Sequence, residues 1–168
     1  MHALYVLSVW LHILAAVTWI GGMFFLVLVV VPWLRKGDRA RGAAFLRETG
    51  VRFRDVGWTC FAILLVTGTF NLWARGVRLH HLVDPAWLGS PFGSAVAWKF
   101  GLFLTVVGVS AWHDFWLGPL AAAAVERDPH GREAERLRKL ASKLGRLNVL
   151  LALGLVAFAV IIVRGWPF

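Results

Sequence analysis

Four long runs of apolar residues, separated by two Lys/Arg-rich connections and one connection rich in Gly, Pro and His, set the pattern of this chain. They lie at about residues 4–34, 53–74, 96–125 and 144–163. The clearest stretch, Leu11 to Leu34, reads LHILAAVTWIGGMFFLVLVVVPWL, with His12 its only ionisable side chain, and Arg35-Lys36 stops it. An α-helix rises about 1.5 Å per residue, so roughly 20 apolar residues cross a hydrocarbon core of about 30 Å. Backbone polar groups in lipid must be satisfied within the segment, which makes each run a helix. The pattern predicts an all-α integral membrane protein, a four-helix transmembrane bundle in which residues 1–168 form a single domain.

Composition supports this class. The chain is 59% hydrophobic and 16% charged, with a mean hydropathy of +0.69, well outside the range of soluble domains. The net charge of +9 implies no nucleic acid, because its sources are local. Residues 35–54 hold seven Lys/Arg and residues 127–146 hold seven more, while the middle connection has only Arg75 and Arg78. Lys/Arg bias in short loops orients membrane helices, so the basic loops are expected in the cytoplasm and both termini on the extracytoplasmic side. The expected location is the bacterial inner membrane, multi-pass, with the lipid bilayer as partner. The opening residues lack a basic n-region and lead into too long an apolar run for a signal peptide, so this reads as a retained first span. Trp10, Trp73, Trp98 and Trp166 read as an outer interfacial belt, Trp33 and Trp58 as an inner one. Gly131 to Lys143 is expected to continue a helix beyond the membrane, and the middle connection to carry a short interfacial helix.

Polar residues within the spans sort by depth into two layers. His12, Asn71 and Lys99 each lie one or two residues inside an outer-belt Trp, and His2, His80 and His81 can approach that layer. The deeper layer holds His113 and Asp114, about 22 Å of helix below Trp98, together with Asn148. A lone carboxylate in a span needs a partner, and Arg54 or Arg146 is the expected one for Asp114. Lys99 and His113, fourteen residues apart, share a helix face with Ser110 nearby, and His12 shares one with Ala15 or Ala16, Trp19 and Gly22. Histidine is a ligand for copper, zinc or haem iron, so the candidate metal residues are His12, His113, His2, His80 and His81. Residues that could line a cofactor are His12, His113, Lys99, Asn71 and Trp19. A single haem between His12 and His113 is disfavoured, because their depths differ by about 15 to 20 Å on this count. The single Cys60 forms no intrachain disulfide, and no GxSxG, P-loop, HExxH or EF-hand pattern occurs. A classical enzyme is therefore not expected.

The segments LHILAAVTWIGGMFFLVLVVVPWL, LLVTGTFNLW, SPFGSAVAWKFGLFL and AWHDFWLGP, in this order, resemble the copper-resistance CopD family of membrane proteins. The resemblance implies a four-helix membrane domain, a role in copper transport or homeostasis, and functional weight on His12 and His113, with Lys99 and Asn71 as neighbours. The LH-then-WxGG opening is similar, more weakly, to HemJ-like protoporphyrinogen oxidases, which bind haem b. Two functional expectations follow. One is copper handling at a histidine-based site near the outer face, with His12 the principal ligand, His2, His80 and His81 auxiliary, and His113 with Asp114 a deeper relay or second site. The other is a haem b protein for electron transfer or porphyrinogen or quinol oxidation, a haem-dependent oxidoreductase if an enzyme. A third reading is a non-catalytic subunit in a homo-oligomer or larger membrane complex.

Overall fold

The computed structural model describes residues 1–34 and 39–166; the Arg35-Lys36 stop lies outside them, as do the side chains of Arg39, Arg41 and Arg47. Every run expected to cross the membrane is helical, and no strand occurs among the described residues. The first span is His2–Leu34, the third Pro91–Arg127 and the fourth Arg132–Arg164. The second helix is Arg39–Ala74, with its apolar part beginning at Glu48. Helices two and four overrun the apolar boundaries at their basic ends, where Arg, Lys, Glu, Leu and Ala are good helix formers. Pairs spaced by four residues brace these extensions: Glu48–Arg52 at 3.1 Å and Glu135–Lys139 at 2.7 Å. The extension expected from Gly131 to Lys143 is thus present.

The middle connection folds as a 3-10 turn at Leu79–Val83 followed by a helical turn at Pro85–Leu88. Asp84 Oδ1 accepts from the Ala86 N–H at 3.0 Å, and Pro85 sits at the first helical position, where its missing N–H costs nothing. Ser90 repeats the device for the third span, accepting from the Gly93 N–H at 3.0 Å ahead of Pro91. A side chain at Gly93 would overlap the Trp87 carbonyl, so only glycine lets the loop fold back this closely.

Two tight helix pairs make the bundle, the first span on the second and the third on the fourth. Small residues permit this approach, as is usual between helices in lipid. A Cβ at Gly22 would overlap the Phe53 ring, one at Gly57 would stand 3.6 Å from Trp19, and one at Gly154 would lie 2.9 Å from Leu102. The first span also touches the fourth, whereas the second and third meet through large side chains. Phe61 reaches Phe103 at 6.0 Å between ring centroids, and Trp58 reaches Phe115 at 5.4 Å. Phe61 also packs edge-on to Trp19 at 4.9 Å, so its ring joins three spans at the centre. Around it Trp19 is 3% exposed, and Val106 and Ala152 are fully buried. Outward faces carry Leu, Val, Ile and Phe, the composition lipid requires, with Trp10, Trp33, Trp73 and Trp98 exposed near the ends.

The third span is not α-helical throughout. A π turn occupies His113–Leu117, with the Gly118 N–H bonded to the His113 carbonyl five residues back. The first span has its own at Leu26–Val30. Each ends two residues before a proline, Pro119 and Pro32. A proline ring collides with the carbonyl four residues earlier and donates no hydrogen bond, and widening one turn absorbs both defects within the helix. Gly118 helps, because a Cβ there would come within 3.1 Å of the His113 carbonyl oxygen.

Candidate functional site

Ser8, Ala15, Trp19 and Met23 are the buried residues of the first span's α-helical part, and His12 falls on the same stripe, so its ring faces the second span. There His12 Nδ1 and Thr67 Oγ1 are 2.8 Å apart. The Thr67 hydroxyl donates its proton to the Ile63 carbonyl at 2.6 Å, which leaves its oxygen an acceptor. The network therefore assigns the proton of the neutral His12 ring to Nδ1 and leaves Nε2 with an open lone pair. A Cβ at Gly68 would lie 3.3 Å from His12 Cε1, so glycine beside Thr67 makes the space that the ring occupies. Ser8 Oγ adds a bond to the Thr67 carbonyl at 3.4 Å. Metal-binding histidines are commonly held in this manner, one ring nitrogen donating to a fixed acceptor while the other remains free.

Two further polar groups belong to this end of the bundle. Asn71 lies one helical turn beyond Thr67 on the same face, and its Oδ1 is buried without a hydrogen-bond partner among the described residues. Lys99 comes from the third span and is half-buried. The three residues read as one depth layer, His12, Asn71 and Lys99, thus come from three different helices. Thr67, Gly68 and Ser8 were missed by sequence reasoning, since a Thr and a Gly within an apolar run look like packing residues.

At the other end His113 Nδ1 lies 2.9 Å from Asp114 Oδ1, so the ring donates there and again presents Nε2 as an open donor atom. Asp114 Oδ2 accepts from the Trp58 indole N–H of the second span at 3.1 Å. This corrects the expectation that Arg54 or Arg146 would hold Asp114. Arg54 instead bonds Asp55 at 3.3 Å and lies over the Phe115 ring at 5.8 Å, while Arg146 is exposed. Trp58, read as an interfacial marker, is turned inward as the anchor of this carboxylate. His113 and Asp114 are 35% and 19% exposed. Asn148 donates to Ser110 Oγ at 3.0 Å and ties the fourth span to the third.

The second span measures the separation of the two histidines. Their partners on it, Thr67 and Trp58, are nine residues apart, about 13 Å along the axis. They belong to two sites. Trp19 is locked in the core against Phe61 and Gly57. His80 and His81 stack on each other at 4.1 Å, and His81 Nδ1 accepts from the Arg78 N–H at 3.0 Å, closing the Leu79–Val83 turn. That bond uses the lone pair a metal would need and places the proton of a neutral ring on Nε2. His2 is exposed near the start of the first span. Among the described residues no three His, Cys, Asp or Glu side chains gather into a metal-holding group.

Comparison with known proteins adds a family. The model of a family described as copper resistance protein D matches residues 47–163. An uncharacterized protein of Aquifex aeolicus is 34% identical over 161 residues, covering 95% of this chain and 96% of that protein. A copper resistance protein D of Pseudomonas syringae pv. tomato is 27% identical over 150 residues, which cover 88% of this chain but 46% of that protein, so the chain spans less than half of this relative's length. No solved structure matches.

Proposed function

The chain belongs to the copper resistance protein D family, and from that premise we propose that it binds copper as cargo at His12, in a role in copper transport or homeostasis. The supporting observation is the Thr67 hydroxyl, which fixes the His12 tautomer so that Nε2 keeps a lone pair. Asn71 contributes an open acceptor oxygen, and the flanking Gly68 leaves room for the ring. His113, held by Asp114 and Trp58, is a second ligand position at the opposite end. His2 and His80, exposed at the same end of the bundle, are capture residues in this reading, while His81 serves its turn. In this reading the end carrying the termini faces outside the bacterial inner membrane. The core between the two positions is filled by Trp19, Phe61 and Phe103, so copper passing from one to the other requires those rings to move.

Haem b fits these residues less well. The two imidazoles lie at different depths, and Trp19, expected against a macrocycle, is packed edge-on to Phe61. Protein purified in detergent, loaded with Cu(I) under anaerobic conditions and passed through a desalting column, is expected to retain copper, and His12→Ala to lose most of it. A Soret band in protein made without added metal, abolished by His12→Ala, would establish the haem reading and end this one.

A further inference from the structure

We infer that the fourth span holds an anionic phospholipid at the basic-loop end, with its phosphate between Lys143 and Arg146 and a chain along Leu147 and Leu150. Copper plays no part in this binding. Six Lys/Arg lie between Arg132 and Arg146, and five of them, Arg132, Arg136, Lys139, Lys143 and Arg146, follow one another at steps of four and three residues. At about 100° per residue these five share an arc of about 80°, and Arg138 lies off it. The residues this helix buries, Ala134, Leu144 and Asn148 among them, occupy the opposite side, so the stripe faces away from the bundle. All five basic residues are exposed. Retention of basic loops in the cytoplasm accounts for the charge but not for its confinement to one face.

Depth and pairing select the part of the stripe that meets lipid. Lys143 immediately precedes the apolar run of residues 144–163, and Arg146 lies in its first turn, where a long side chain carries the guanidinium back to the phosphates. Lys139 is paired with Glu135 at 2.7 Å, whereas Lys143 and Arg146 have no ion pair among the described residues. Side chains three residues apart are neighbours on a helix, so one phosphate is within reach of both. Further along the same face, toward the bilayer centre, Leu147 and Leu150 are 40% and 65% exposed and form an apolar track for an acyl chain. A zwitterionic lipid brings its own cation to the phosphate, so two unpaired basic groups favour a headgroup with net negative charge. Arg132 stands about 16 Å further from the membrane than Lys143, beyond the reach of a screened charge at physiological salt.

The test titrates the full chain in detergent with phosphatidylglycerol and with phosphatidylcholine of the same acyl chains, reading bound lipid by native mass spectrometry. Wild type is expected to hold phosphatidylglycerol roughly tenfold or more tightly than phosphatidylcholine, the scale of two basic groups at a headgroup. Lys143→Gln/Arg146→Gln is expected to lose that preference, weakening by roughly ten- to thirtyfold for the anionic lipid and not at all for the zwitterionic one. Lys143→Arg/Arg146→Lys keeps the charge and should keep the preference. Arg132→Gln/Arg138→Gln removes the same charge from the same helix and should leave the preference unchanged. Millimolar inorganic phosphate should not displace the lipid, because it has no chain to lay on Leu147 and Leu150. Equal binding of the two lipids by wild type overturns the inference. Equal losses from the two Gln pairs overturn it in favour of a diffuse field at the basic end, and displacement by phosphate in favour of a simple anion site.

Discussion

At the scale of single residues, what distinguishes the histidines is where their protons are held. His12 and His113 each donate from Nδ1 to a fixed oxygen and keep Nε2 open, whereas His81 accepts at Nδ1 and closes a turn. Removing the Thr67 acceptor should therefore act through His12. Thr67→Val is expected to weaken copper binding by roughly tenfold or more, the usual cost of losing the partner that orients a ligand histidine. Thr67→Ser keeps the oxygen and should bind nearly as wild type, with both affinities read from chelator competition. Of this site, His12, Asn71 and Lys99 were legible in the sequence because a polar residue in an apolar run has no cheap alternative explanation. Thr67 was not, since a threonine hydroxyl in a helix can bond its own carbonyl four residues back, as it also does here.

At the scale of elements, glycines set how near two helices come and proline sets where a helix widens. Gly21 and Gly22 are adjacent, but a Cβ at Gly21 meets nothing within 4 Å while one at Gly22 overlaps Phe53. Gly22→Ala should destabilise the protein by about 1 to 3 kcal/mol through overpacking. Gly21→Ala should be neutral or slightly stabilising, because alanine is the better helix former. Thermal unfolding of the two variants in the same detergent distinguishes them. The pairs of small residues were visible along the chain, but which glycine meets a ring depends on the rotation of each helix. The π turn at His113 shows the same limit: the run of residues 96–125 read as one span, and only the folded helix showed a widened turn that places a histidine and a carboxylate against Trp58.

For the whole molecule, the four helices bring the N-terminus, the middle connection and the C-terminus to one end, where Trp166 donates to the Pro91 carbonyl at 3.0 Å. The Lys/Arg-rich connections and the helix extensions belong to the other. Cytoplasmic retention of basic loops gives the expected orientation in a living membrane. A periplasm-dependent phosphatase fused after Phe168 should be active, and the same reporter inserted near His130 inactive; the opposite pattern would place the His12 end in the cytoplasm.

The order and apolarity of the residues were enough to determine four membrane helices, since length at a fixed rise per residue and the cost of unpaired backbone in lipid leave no other solution. Family likeness was legible too, in runs such as AWHDFWLGP, which lies within the matched residues 47–163. Only the tertiary structure decided partners. Whether Asp114 met an arginine or an indole, and which nitrogen of His12 remained open, followed from helix rotation, from the π turn and from the rings that hold spans two and three apart, quantities that depend on all four helices together.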